Sequence, residues 1–368
     1  MAELDIGLGK SARRSYELSD VALLPSRRTR EVDLVDVSWQ IDAYSFDIPI
    51  IGAAMDSVTS PATATALDKL GGLGVLDLEG VWTRHEDPAP ALAELRDLEP
   101  DAVAARLREL YSAPVDYDLV TQRIAELHSA GGYAAGSVSP RRVAAMADTL
   151  LKAELDLLLI QGSVISAEHV SSSDEPLNLK SFVRELETPV IVGGVVSYQA
   201  ALHLMRTGAA GVLVGVDSGS SSTASWVTGI GTGQATAIAD VRAARMRHLD
   251  ETGVYVHVIA NGGINSGGDI AKAVACGADA VMMGSALAQA DEAPGGGWHW
   301  GRSVAHPDLP QGVVVEVGNG GSLEQVLFGP STLGDGYTNV VGALRQSMAT
   351  LGFERLKELQ KAEIMVNL

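Results

Sequence analysis

Short runs rich in Val, Ile and Leu recur along the chain, each closing on glycine or a polar residue, with helical patterns between them. The runs fall at 49–53, 73–76, 133–137, 155–160, 189–192, 211–214, 255–259 and 279–283. Apolar runs this short, alternating with amphipathic stretches, predict parallel strands joined by crossover helices. Eight strands is the number that closes a (β/α)8 TIM barrel. The helices between them carry stop signals: 61–70 ends at Gly71-Gly72, 198–206 at Gly208 and 268–275 at Gly277, and glycine just past a helix is the usual cap. Three helix-to-strand joints, Lys152-Ala153-Glu154-Leu155-Asp156, Thr207-Gly208-Ala209-Ala210-Gly211 and Cys276-Gly277-Ala278-Asp279-Ala280, share wording. Their uneven spacing fits a barrel pseudo-repeat better than a solenoid.

Two segments depart from the alternation. Residues 81–130 are charged and helical in pattern, with leucines at Leu92, Leu95, Leu98, Leu107 and Leu110. They predict a surface excursion of helices after strand two, with no strand or core of its own. Residues 340–368 read as an amphipathic helical tail packed on the barrel. The expectation is one barrel domain over 1–368.

Composition adjusts this picture in a few places. Hydrophobic residues make up 46% of the chain and charged ones 20%, enough for a sizeable core. With 46 acidic against 27 basic residues, the net charge is -19, which repels a nucleic-acid backbone at long range. The basic run Arg27, Arg28, Arg30 is followed at once by Glu31 and Asp33 and reads as a solvated turn. No run reaches the roughly 18 apolar residues of a membrane span, and the first residues lack the regions of a signal peptide. The chain is therefore expected in the cytoplasm, without membrane or nucleic-acid partners. A single cysteine, Cys276, leaves no intrachain disulfide or thiolate cluster. His169, His257 and His299 share no metal-ligand spacing, so no metal is expected.

The candidate chemistry lies where strands meet the following loops, the functional end of such barrels. Strand seven runs into Asn261-Gly262-Gly263-Ile264, strand eight into Met283-Gly284-Ser285, and strand six into Asp217-Ser218-Gly219-Ser220-Ser221-Ser222-Thr223. Glycine lets backbone N–H groups approach phosphate oxygens, and a helix starting just afterwards adds its positive end. One such cluster is only a turn; three on adjacent strand ends predict a phosphate cradle. Trp298 and Trp300, after strand eight, suit a base stack, a hydrophobic lid or a subunit contact.

Several of these motifs resemble the IMP dehydrogenase/GMP reductase family. They are Ala54-Met55-Asp56-Ser57-Val58-Thr59, Leu70-Gly71-Gly72-Leu73-Gly74-Val75, and Gly262-Gly263-Ile264 leading to Gly277-Ala278-Asp279-Ala280-Val281-Met282-Met283-Gly284-Ser285. Tyr16-Glu17-Leu18-Ser19-Asp20-Val21 and Gly342-Ala343-Leu344-Arg345-Gln346-Ser347-Met348 extend the likeness over almost the whole chain. The regulatory (CBS) domain pair that many dehydrogenases insert after strand two is not recognisable. The pattern is similar to the single-barrel, IMP dehydrogenase-related bacterial paralogues. The resemblance implies a purine nucleoside monophosphate (IMP, GMP or XMP) as ligand, NAD or NADP as cofactor, and a homotetramer or octamer. It implies that Ser220, Gly263, Gly284 and Ser285 hold the phosphate, that Met55 packs on the purine, and that Asn261 replaces a ribose-gripping aspartate.

The departures concern the reaction centre. The family's cysteine falls at Ser222, and its cofactor-ribose aspartate after strand four at Gln161. An asparagine after strand five falls at Gly194, and the reductase threonine and glutamate match Ala224 and Gln311. An Arg-Tyr flap pair is missing between Ser285 and Gln311. A serine is a far poorer nucleophile than a thiolate unless a base activates it, and Cys276 falls in the helix before strand eight. Three readings stay open: an NAD(P)-dependent oxidoreductase on a purine mononucleotide, a catalytically silent nucleotide-binding or regulatory paralogue, and a barrel acting on another phosphate ester.

Overall fold

The computed structural model describes residues 3–167, 178–216, 219–301, 313–331 and 334–367. Among them, eight parallel strands close a barrel. In chain order they are Ile50–Gly52 (β1), Leu73–Asp77 (β2), Ala135–Val138 (β3), Leu157–Gln161 (β4), Val190–Val195 (β5), Gly211–Val214 (β6), His257–Asn261 (β7) and Ala280–Met283 (β8). Each pairs with its sequence neighbour, and β8 closes on β1 through Val281 opposite Ile50 and Met283 opposite Gly52. Ile50, Ile51, Leu73, Val75, Leu158, Val212 and Val258 are all buried, since strands covered by helices outside and side chains within have no solvent face.

The helices follow their local signals. Pro61–Lys69 starts on Ser60, whose hydroxyl accepts from the Thr63 N–H at 3.1 Å, with proline at the first turn where no N–H partner is needed. Gly267–Cys276 is capped by Ser266 and Asp269. It stops at Gly277, with φ of 129°, where a side chain would run into Arg242. At the N-terminal ends of the strands, a hairpin of Trp39–Ile41 and Tyr44–Phe46 packs Trp39 on Phe46, ring centroids 5.1 Å apart. The opposite face, at the strands' C-terminal ends, carries the loops that line a cleft.

Two expectations need correction. The excursion after β2 forms the helices Ala89–Ala93, Pro100–Leu110 and Tyr117–Ser129, but it has a small core of its own. Val81, Leu92, Leu95, Val103, Leu107, Leu110 and Tyr111 bury together with Trp298 and Trp300. The two tryptophans are thus neither base stack nor exposed lid. Trp298 donates its indole N–H to the Leu95 carbonyl at 2.9 Å, and Trp300 donates to the Tyr111 hydroxyl at 3.0 Å. The heptad-like leucines needed a partner surface, and residues about 200 positions later in the chain supply it. The C-terminal segment is also only partly helical. After Val340–Leu351 and Leu356–Leu359 it ends in a strand, Glu363–Val366, antiparallel to Val21–Leu24. Its alternation is short enough to be lost behind the helical pattern.

Candidate functional site

Loops at the C-terminal ends of the strands enclose a cleft of about 190 Å3. The β7 loop turns through Gly262 and Gly263, with φ of 91° and 71°, a region that L side chains rarely occupy, and both glycines line the cleft. Gln234 secures this turn and β6 together, its amide donating to the Val214 carbonyl at 2.9 Å and the Asn261 carbonyl at 3.3 Å. After β8, Gly284 precedes the one-turn helix Ser285–Ala288, which lacks a side-chain cap. The N-terminus of Gly267–Cys276 is different: Ser266 and Asp269 already satisfy it. After β6, the Ser222 N–H donates to the Gly219 carbonyl at 3.0 Å, tightening the serine turn ahead of the helix Ala224–Thr228. Ser220 thereby reaches across, its hydroxyl 2.7 Å from that of Ser285.

Ser220, Ser222, Asn261, Gly263, Gly284, Ser285, Met55 and Gln161 all line this one cleft. Gln311 lies outside the described residues, as do Asp217, Ser218 and His169. The Ser222 hydroxyl accepts from the Ala224 N–H at 3.4 Å, a local turn contact rather than a bond to a base. The side-chain oxygen of Gln161, at the end of β4, is buried without a hydrogen-bond partner among the described residues. Gly194 lies within β5, where a Cβ would come within 2.6 Å of the Gly215 carbonyl; glycine is what this close approach of strands permits. Cys276 packs in the core away from the cleft, and burial pushes its thiol up to about 11.

Sequence reasoning missed His299. It lies on the strand Trp298–His299, paired with Val315–Glu316. Side chains alternate along a strand, so while Trp298 and Trp300 enter the insertion's core, His299 turns the other way and lines the cleft. A Cβ on Gly284 would lie 3.4 Å from its Nε2 and 3.6 Å from the Met55 sulfur. Its Nδ1 is 2.9 Å from the Ser57 hydroxyl. Burial brings the imidazole down to about 4, so it is neutral at pH 7. Among the described lining residues, His299 is the one ionisable side chain. The period-two spacing of Trp298, His299 and Trp300 was the available signal.

Met55 adjoins Asp56 in the loop after β1. Asp56 accepts the Val81 N–H at 2.9 Å and the Tyr111 hydroxyl, so the β1 loop is fastened to the helical insertion. Among the described residues no group of three or more His, Cys, Asp or Glu side chains is arranged to hold a metal ion. No described helix is long and apolar enough to cross a membrane.

The IMP dehydrogenase / GMP reductase domain model matches residues 15–306. The chain belongs to this family. An uncharacterized oxidoreductase of Mycolicibacterium smegmatis is 50% identical over 99% of both chains, and one of Mycobacterium leprae is 49% identical over 99% of this chain and 100% of the relative. The inosine-5'-monophosphate dehydrogenase of Methanocaldococcus jannaschii is 27% identical over 95% of this chain and 92% of its own length. A crystal structure of an IMP dehydrogenase/GMP reductase-like protein from Corynebacterium glutamicum superposes with a TM-score of 0.91, at 46% identity, covering 99% of this chain and 98% of that one. Family and barrel therefore agree with the motifs that suggested them.

Proposed function

We propose that this family member binds a purine nucleoside monophosphate (IMP, GMP or XMP) by its phosphate and serves as an NAD(P)-dependent oxidoreductase of purine nucleotide metabolism. The observation that carries the reading is the approach of Ser220 and Ser285, 2.7 Å apart, at a rim shared with the left-handed glycine turn at Gly263. Hydroxyls and freely presented N–H groups at one point suit a tetrahedral anion. On this reading Gly263 and Gly284 offer backbone donors, Ser220 and Ser285 offer hydroxyls, Met55 packs on the purine and Asn261 contacts the ribose.

The cofactor, when bound, would supply hydride exchange at its nicotinamide ring. The partnerless oxygen of Gln161 fits this role as an acceptor for a cofactor ribose hydroxyl. We place Ser222 at the family's cysteine position, and Gln311 at its glutamate. By family relationship we expect a cytoplasmic homotetramer or octamer.

Two observations favour the second reading, a catalytically silent nucleotide-binding or regulatory paralogue. The sole cysteine is buried in the core, and the Ser222 hydroxyl bonds only the Ala224 N–H among the described residues. Losing the nucleophile ordinarily removes several orders of magnitude in rate. Calorimetric titration of IMP, GMP and XMP, followed on the same sample by absorbance of reduced nicotinamide, separates the two. Binding with turnover supports the oxidoreductase and binding without it the silent paralogue, whereas no binding removes both.

A further inference from the structure

On the nucleotide-binding reading, the cleft receives an anion with no lysine or arginine among its described lining residues. A phosphoryl group there depends on neutral donors, and every additional N–H counts. His299 is placed to be one. Its ring edge sits against Gly284, and Ser57 fixes its orientation. The Ser57 hydroxyl oxygen takes the Trp300 N–H at 3.3 Å, so its own hydrogen is free for either Nδ1 at 2.9 Å or the Trp300 carbonyl at 3.3 Å. Donation to Nδ1 leaves the ring proton on Nε2, the nitrogen nearer Gly284, and this is the tautomer that an anion beside Nε2 selects.

We propose that His299 donates a hydrogen bond from Nε2 to a phosphoryl oxygen of the bound nucleotide, with Ser57 as the residue that sets its tautomer; this rests on the nucleotide-binding reading above. The Trp298–His299 strand is held from behind by Trp298 and Trp300 in the insertion's core, so the insertion acts as the buttress of this donor. A neutral imidazole contributes here without the desolvation penalty of a buried cation.

Two variants separate contact from scaffolding. His299→Asn retains a group at the Nδ1 position for Ser57 but removes the atom facing the cleft, while His299→Gln extends an amide to the Nε2 position. IMP and inosine are titrated calorimetrically into each variant and the wild-type protein. The expected result is a loss of about 10- to 100-fold in IMP affinity for H299N, recovered in large part by H299Q, with inosine unaffected. Nitrogen-15 NMR of the histidines supplies a readout that does not depend on variants: IMP, and not inosine, shifts the Nε2–H resonance of His299. Wild-type affinity for IMP in H299N, equal losses for IMP and inosine, or a wild-type resonance that ignores IMP would each overturn the proposal. A wild-type protein that binds no nucleotide instead overturns the underlying reading, and this one with it.

Discussion

The Ser220 hydroxyl lies 2.7 Å from that of Ser285, although 65 residues separate them in sequence. One hydroxyl comes from the turn after β6 and the other from the start of the one-turn helix after β8. Each can rotate its hydrogen toward an anion. Ser220→Ala and Ser285→Ala should each lower IMP affinity by about 10-fold, the worth of one hydrogen bond to a charged group. The double variant should depart from additivity because the two hydroxyls are in contact. Isothermal titration of the three variants measures both effects; single variants with unchanged affinity would place the phosphate elsewhere.

Tyr111 ties the helical insertion to the site. Its buried hydroxyl donates to Asp56 and accepts the Trp300 indole N–H. Tyr111→Phe leaves the indole without its acceptor and Asp56 with one donor fewer. The expected loss of stability is about 2–4 kcal/mol by urea unfolding, since buried polar groups deprived of partners bear their full desolvation cost. Nucleotide affinity should fall as well, because Met55 adjoins Asp56 in the same loop. A loss below about 0.5 kcal/mol would show the network to be dispensable.

His299 also makes stability depend on pH. Burial depresses its imidazole from 6.5 to about 4. Between those values the unfolded chain binds more protons than the folded one, so stability rises with pH across the window and becomes independent of this group above it. Acidification from pH 7 to pH 4 should destabilise the unliganded protein by about 3 kcal/mol through His299. Urea melts of wild type and H299Q at both pH values isolate this contribution. The variant should lose less on acidification; equal losses would mean that the ring is not held neutral.

Thiol chemistry distinguishes Ser222 from Cys276. The buried Cys276 thiol, pushed up to about 11, should react with an aromatic disulfide reagent at pH 8 roughly two orders of magnitude more slowly than in denaturant. S222C introduces a second thiol on the cleft wall, which should label rapidly and be protected by IMP. Labelling that ignores IMP would separate Ser222 from the nucleotide.

Much of the barrel was legible because its strands and helices differ in length and period. Apolar runs that end on glycine mark β1 to β8 to within a few residues, the ordinary error at element ends. Harder to read were the features that need distant partners. Leu92 and Leu95 look like a solvated helical face until Trp298 arrives from beyond β8. Glu363–Val366 is a strand only because Val21–Leu24 offers it an edge. At the site, motif glycines and serines reported a backbone turn and so were visible in sequence. His299 carried no motif, and its importance comes from facing a cleft whose other described walls cannot ionise.

On the proposed function, the cleft grips a nucleotide by its phosphate. Calorimetric titration of IMP and inosine, side by side into the same wild-type preparation, tests it most directly. IMP should bind at least about 10-fold more tightly than inosine, as expected when several charge-assisted hydrogen bonds are added. Equal affinities, or no heat from IMP at all, would contradict it.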